Sequence, residues 1–530
     1  MENLKNSKFN KIEAKARKGD IDAAFQLYNF YLNGKYLEKD SEKAQEYLDL
    51  VLSQFRDQKI RIASLSLLNF RIAERLSIRF NNEHTQVLIG NNGAGKTTVL
   101  DAISHSLSWL IRRIVNSGGK GRDIDKSDIT MGNNDGYSSI ITKLTLYKDY
   151  SPTLELCEVE EGSIVKKKSY YSDFTQLGNL YKLSCDSDDK FELPLFAYYG
   201  VMRSMDINSK DMVEFDETTA NEIQNRFDGY SGSIAGKADF KAFFRWYKRL
   251  DDLVKHENQN VPQTDLKFIS MLEELADSDP QAKKVLNKLL SKMKPQSEPE
   301  EISYAAKTQR IINKTIPFFM DGFSNLKVEL KPTLHLSIEK EGIKTNVLQL
   351  SQGEKSLLAL ILDITRRLAA LNPDSENPLL CSGIVLIDEI DLHLHPEWQR
   401  NIIKKLETAF PNCQFIVTTH SPQIISEIKH DQIFILGKDE SGNFNCFSPD
   451  QSYGLTSNDV LNEIMKTGDK TLVRSPEVQN GIDEIFSLIS KGDLESASRK
   501  IAEMEKELHG EIPELANAKF DIELHGWDKE

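Results

Sequence analysis

The stretch TQVLIGNNGAGKTTVLDAI, Thr85 to Ile103, constrains the fold more than any other part of the chain. An apolar strand runs straight into a glycine-rich turn, and a segment with one apolar helical face follows. Gly90 to Thr97 fits G-x-x-x-x-G-K-[ST] in the strand-to-helix context that gives the pattern its meaning. Backbone N–H groups of the turn and of the helix start can face phosphate oxygens, Lys96 adds a cation, and Thr97 offers a hydroxyl to Mg²⁺. The turn therefore implies a nucleoside triphosphate, cradled by Asn92, Gly93, Ala94, Gly95, Lys96, Thr97 and Thr98, at the centre of an α/β fold.

Later segments extend this candidate site. SGIVLIDEID reads as a buried strand ending in adjacent carboxylates, with Asp388 placed to hold Mg²⁺ through water and Glu389 to orient an attacking water. LSQGEKSLLAL puts Ser351, Gln352, Gly353 and Glu354 at the start of an apolar-faced helix, where free N–H groups and the helix dipole favour an anion. Alone it would pass for a capped helix. QFIVTTHSP ends another strand at His420. An isolated histidine there is more often structural than catalytic, and only its place after the carboxylate pair makes it a candidate.

Composition sets limits. At 530 residues the chain is too long for one ordinary core. No apolar run approaches the roughly 18 residues of a bilayer crossing. The mean hydropathy is -0.44 and the first residues lack a secretory leader's apolar stretch, so a cytoplasmic protein without membrane contact is expected. Five scattered cysteines, Cys157, Cys185, Cys381, Cys413 and Cys446, suit reduced structural thiols better than a disulfide framework or zinc site. A formal charge of -14 repels a polyanion overall, so any nucleic-acid contact must come from a local basic face or a partner.

Five segments are expected along the chain: a helical hairpin over 1–57, a first lobe with the cradle over 58–204, a helical insertion over 205–331, a second lobe over 332–450, and a helical tail over 451–530. The tail's LESASRKIAEMEKELHG should close at Gly510. Pro280, Pro295 and Pro299 argue against a long coiled coil in the insertion. KADFKAFFRWYKRL, Lys237 to Leu250, interleaves aromatics and cations in a way compatible with stacking on single-stranded nucleic acid. Helical spacing favours the plainer reading, with the aromatics in the core and the cations in water. His393 and His395 lie two residues apart, without the further ligands a metal site needs.

Cradle, LSQGE segment, carboxylate pair, Asp391 and His420, in that order, resemble an ABC-type ATPase head, a P-loop NTPase. LSQGE is similar to the family signature, Asp391 matches its D-loop and His420 its switch histidine. The resemblance covers about residues 60–200 and 330–440. It implies ATP and Mg²⁺ as cofactors, and a head-to-tail homodimer in which Ser351 of one subunit meets the γ-phosphate held by Lys96 of the other. The family's Q-loop glutamine is missing, because residues 102–175 contain no Gln. Asn133 or Asn134 is the candidate substitute, and slow or conditional hydrolysis is expected.

Ala24, Leu27, Tyr28, Tyr31, Gly34, Asp40, Lys43, Ala44 and Tyr47 resemble one Sel1-like repeat, which must pack its apolar face on a neighbour. Together with LSLLNFR, which ends in Arg71, with LPLFAYYGVMRS and with IVLIDEIDLHLHPEWQ, this makes the chain most similar to the Septu defence ATPases (PtuA) in their retron-associated form. That resemblance implies antiviral defence and a nucleotide contact for Arg71. It implies as partners the HNH nuclease PtuB and, in retrons, a reverse transcriptase with its multicopy single-stranded DNA, in assemblies of the dimer or higher order. The alternative is a DNA-repair ATPase of the RecF or Rad50 type, whose turnover clamps DNA. A nuclease of the overcoming-lysogenisation type would need a metal-binding acidic domain after His420, and no convincing acid cluster follows.

Overall fold

A computed structural model of the chain describes residues 2–34, 36–56, 58–81, 84–146, 150–201, 225–238, 240–259, 303–331, 333–438, 444–465 and 475–527. It divides into two compact units, residues 1–454 and 455–530. Pro280, Pro295 and Pro299 lie outside the described residues, as do 205–224 and 260–302 of the expected insertion.

The first unit begins with α1 (Glu2–Arg17), α2 (Ile21–Asn33) and α3 (Ser41–Phe55). Asp20 and Asp40 cap α2 and α3 through side-chain oxygens, and Gly34 ends α2 in the left-handed region. Tyr31 stacks on Tyr47 at 5.8 Å, which closes the α2–α3 hairpin. Its leftover apolar face is covered by α5 (Ser172–Ser187) and the turn after it, where Phe55 meets Tyr181 and Phe191 at 4.7 and 5.7 Å.

Strands β1 (Arg61–Phe70), β2 (Ala73–Arg79), β4 (Tyr137–Thr145) and β5 (Thr153–Val159) form an antiparallel sheet in the order β2-β1-β4-β5. The second sheet is the scaffold of the site. It takes β3 (Thr85–Ile89), β6 (Leu195–Tyr199), β10 (Gly383–Ile387), β11 (Cys413–Thr418), β12 (Ile433–Lys438) and β13 (Phe444–Phe447) in the order β13-β12-β3-β11-β10-β6. All its pairs are parallel except β12 with β13. TQVLI, GIVLI and CQFIVT are buried along their whole length, as strands covered on both faces must be. Gln414 of β11 ties the two sheets together: its Oε1 accepts from Ile62 N at 2.7 Å, and its Nε2 donates to Ile62 O at 3.2 Å and Gln86 Oε1 at 3.1 Å.

Helix α4 (Lys96–Val115) follows the glycine turn. α6 (Phe240–Gln259) and α7 (Tyr304–Phe319) pack together, and β7 (Phe323–Glu329), β8 (His335–Lys340) and β9 (Ile343–Asn346) form a small antiparallel sheet. α8 (Gln352–Leu371) is buried nearly all round, and α9 (Pro396–Ala409) leads into β11. Phe240, Phe243, Phe244, Trp246 and Tyr247 of α6 are all buried, so that stretch is core, as its spacing favoured. Burial pushes the Cys185 thiol up to about 11 and the Cys413 thiol up to about 12, which keeps both protonated and structural.

In the second unit α10 (Pro476–Ser490), α11 (Leu494–Leu508) and α12 (Pro513–Trp527) share a core that includes Ile485, Ala497, Ile501 and Leu515. His509, at φ 51°, is the left-handed residue that ends α11, while Gly510 donates its N–H back to Glu505 O at 3.2 Å. The expected stop is therefore made by two residues, with the histidine in the strained position. Among the described residues no helix is long and apolar enough to cross a membrane.

Candidate functional site

The carboxyl ends of β3, β10 and β11 lie side by side, and the residues that follow each strand supply the site. After β3 the chain must turn sharply. Gly90 sits at φ 151°, and a Cβ there would lie 2.5 Å from Leu436 O, so only glycine lets the turn pass under β12. Gly95 caps α4 with no side-chain hydrogen bond, and no acid occupies the first turn, unlike α2, α3 and α8. That leaves the amino end of α4 to an external anion. Lys96 is buried, and its ammonium donates to Gly90 O at 2.9 Å and Asn91 O at 3.2 Å. Burial pulls its pKa below the ordinary lysine value, while Asp388, Glu389 and Asp391 hold it up.

Asp388 is the hub. Its Oδ2 accepts from Thr97 Oγ1 at 2.8 Å, its Oδ1 accepts from Thr418 Oγ1 at 2.6 Å, and its N–H donates to Tyr199 O at 2.8 Å. The cradle helix and the carboxylate strand are thus joined directly at the position expected for a metal. Glu389 stands at φ 46°, a left-handed backbone that costs a non-glycine residue about 1–3 kcal/mol and persists only when its surroundings hold it. Its N–H donates to the same Thr418 Oγ1 at 2.7 Å. Asp391 accepts from Thr419 Oγ1 at 2.5 Å and from His420 N at 3.3 Å. His420 Nε2 is buried with no hydrogen-bond partner among the described residues, which leaves a nitrogen ready for a ligand oxygen.

Hard oxygen donors at Thr97 and Asp388 suit Mg²⁺, and the cationic, amide-rich turn suits a triphosphate, so these residues fit both groups. Thr418, Thr419 and Tyr199 escaped the sequence reading. The hydroxyls stand in plain view in TTHSP, but their use depends on β11 lying beside β10, and no local pattern reports that.

The LSQGE turn is placed differently. Ser351 is exposed at the amino end of α8 and forms a capping box with Glu354: Ser351 N donates to Glu354 Oε2 at 2.8 Å and Glu354 N to Ser351 Oγ at 3.3 Å. Burial pushes the Glu354 carboxyl up, but Lys340 and Ser351 outweigh it and hold it below its ordinary value. Glu354 therefore serves the turn itself. A Cβ on Gly353 would lie 2.1 Å from His393 O, so the turn sits tight against the loop that follows the carboxylate pair. His395 caps α9 through Nδ1, at 3.4 Å from Glu397 N.

Arg71, at φ 55°, is held by Asp128, 2.9 Å from its Nε, and by Asp101, one helical turn beyond Thr97. It stands beside the cradle helix with carboxylate partners already in place. Asn133 likewise uses its amide in its own turn, donating to Thr130 O at 3.0 Å and accepting from Gly136 N at 2.7 Å, which does not suit it to replace the missing glutamine. Asn134 is exposed in the same turn.

Residues 61–425 match the family model described as AAA ATPase domain. The chain is 33% identical to the Retron Vc95 probable ATPase of Vibrio cholerae serotype O1 biovar El Tor, over 93% of this chain and 95% of that one. It is 34% identical to the Retron Ec83 probable ATPase of Escherichia coli, over 98% of both. The Septu protein PtuA of Bacillus thuringiensis is 30% identical over 27% of this chain and 37% of its own length.

Proposed function

Because the chain belongs to the AAA ATPase domain family, and within it to the retron-associated probable ATPases, we propose that it binds ATP with Mg²⁺ and hydrolyses it slowly as an ABC-type head. The observation that carries this reading is the double grip on Asp388, by Thr97 from the cradle and Thr418 from the neighbouring strand, with Glu389 fixed next to it. Bound Mg²⁺ would supply charge stabilisation at the β- and γ-phosphates. Lys96 and the start of α4 hold the phosphates, Thr97 and Asp388 offer the metal its oxygen donors, Glu389 orients and partly deprotonates the water, and His420 faces the reacting end through Nε2. Ser351, exposed on its own subunit, meets the nucleotide of a second copy, so the active form is a head-to-tail homodimer that ATP closes. Arg71, braced by two aspartates, positions the turn beside the nucleotide.

In this reading the closed dimer governs a separate HNH nuclease in anti-phage defence, together with a reverse transcriptase and its single-stranded DNA, and carries no second catalytic centre. Lys96→Ala should lose ATP binding by calorimetry. Glu389→Gln should keep it and accumulate as a dimer by light scattering with ATP. A Glu389→Gln protein that stays monomeric with saturating ATP would refute the shared site, and nucleic-acid cleavage by the purified chain alone would refute the division of labour.

A further inference from the structure

A cationic feature lies apart from the nucleotide site. On α7, Lys307, Arg310, Lys314 and Phe318 follow one another at three- or four-residue steps, so they form one stripe along the helix. The stripe is one wall of a 490 Å³ groove, whose other wall includes Asn377 and, at the carboxyl end of α9, Thr408. Arg310 and Lys314 are exposed, and no carboxylate among the described residues pairs with either. Lys307 donates to Ser375 O at 2.6 Å, and Phe318 leaves 40% of its surface to solvent at the end of the row. Lys405 of α9 donates to Phe319 O at 3.1 Å, which offsets the negative carboxyl end of α7, and its charge is answered by Asp321 at 3.6 Å. The acid on the lining is Glu376. A chain of net charge -14 has thus gathered cations around one aromatic edge, the local basic face that its overall charge demands of any contact with a polyanion.

We propose that the groove between α7 and α9 binds single-stranded nucleic acid, with Arg310 and Lys314 on neighbouring phosphates and Phe318 beneath a base. At 1.5 Å of rise per residue the two cations lie about 6 Å apart along the helix, a stride that a flexible strand can follow. An acidic peptide would also answer the cations, but a base offers the exposed ring a flat face as well. None of these residues belongs to the cradle, so the groove can be tested independently of ATP binding.

The test is fluorescence anisotropy of the full chain with a labelled oligothymidylate of about 16 nucleotides, the upper end of the site sizes of single-strand-binding folds, titrated over a range of salt. Arg310→Ala/Lys314→Ala should lose about tenfold in affinity at low salt and lower the slope of log K against log salt by about 1.4, the share of two phosphate contacts on a single strand. Phe318→Ala should weaken binding about fivefold with the slope unchanged, because stacking releases no counterions. ATP binding should be unchanged in both variants, which separates this result from any failure of the nucleotide site. The proposal is overturned if the parent chain does not bind the oligonucleotide at low salt, if both variants match the parent, or if polyglutamate of equal charge binds more tightly, which would assign the groove to an acidic protein.

Discussion

Thr418→Val removes a single oxygen from the middle of the site and keeps the branched shape of the side chain. In the parent that oxygen is fully buried, donates to Asp388 Oδ1 at 2.6 Å and accepts from Glu389 N at 2.7 Å. A hydrogen bond to a charged carboxylate is worth about 1.5–3 kcal/mol, and leaving the Glu389 N–H unpaired costs about 1 kcal/mol more, for a total of roughly 3 kcal/mol. Asp388 keeps its bond from Thr97, so the metal position survives. Glu389 loses the bond that steadies its left-handed backbone, so the loss should fall mainly on water orientation. If about 2 kcal/mol of it is felt in the transition state, ATP turnover drops about thirtyfold with little change in KM. Steady-state phosphate release would measure this, with Thr418→Ser as the control that restores the hydroxyl and most of the rate. A valine variant that turns over within twofold of the parent would refute the argument, and so would one that loses ATP binding as fully as it loses rate.

Asp363 and Arg367 of α8 form a fully buried ion pair at 2.7 Å, with Arg366 and the Tyr199 hydroxyl on the same carboxylate. Asp363→Asn should cost about 3–5 kcal/mol in urea unfolding, since it strands a buried guanidinium. Burial pushes Asp363 up, but Arg367 and Arg366 prevail and hold it below the ordinary carboxylate value, so its contribution is complete above about pH 4 and fades as pH falls toward the lower folded value. The gap between parent and variant should therefore be widest at neutral pH and shrink below about pH 4; a gap that widens in acid would reverse the sign argued here. Gly353→Ala forces a methyl against His393 O, a backbone atom that cannot step aside, and should lower the melting temperature by an amount equivalent to about 1–3 kcal/mol. If dimer closure depends on the turn, ATP-driven dimerisation falls in the same variant by light scattering.

The glycine turn and the carboxylate pair were legible as strand ends because each is local: a strand and then a turn of fixed length or two acids follow one another in the chain, and backbone geometry does the rest. His420, in contrast, stood out only by its place after the carboxylate pair. The strand GIVLI announced itself as buried by its unbroken apolar run, whereas Gln86 and Gln414 interrupt the equally buried TQVLI and CQFIVT. The aromatics of α6 were legible as core from their spacing alone. Glu354, Arg71 and Asn133 were not legible in the same way. Their residue types suited a ligand, and the structure supplied each with protein partners, Lys340, two aspartates and a turn, drawn partly from other elements. The Gly510 stop missed that His509 takes the left-handed position, because a polar residue can occupy that region at a cost a sequence pattern does not record.

The sequence by itself determined that a phosphate cradle opens a helix, that two acids end a buried strand, and that the chain is too acidic to meet a polyanion except locally. Only the tertiary structure decided that β11 lies between β3 and β10, which brings Thr418 onto Asp388 and fixes Glu389, and that α7 and α9 enclose the cationic groove. The physical reason is range. Backbone conformation is set by neighbours in the chain, whereas a hydrogen bond such as that of Thr97 to Asp388, 291 residues apart, exists only after the sheet has chosen its strand order.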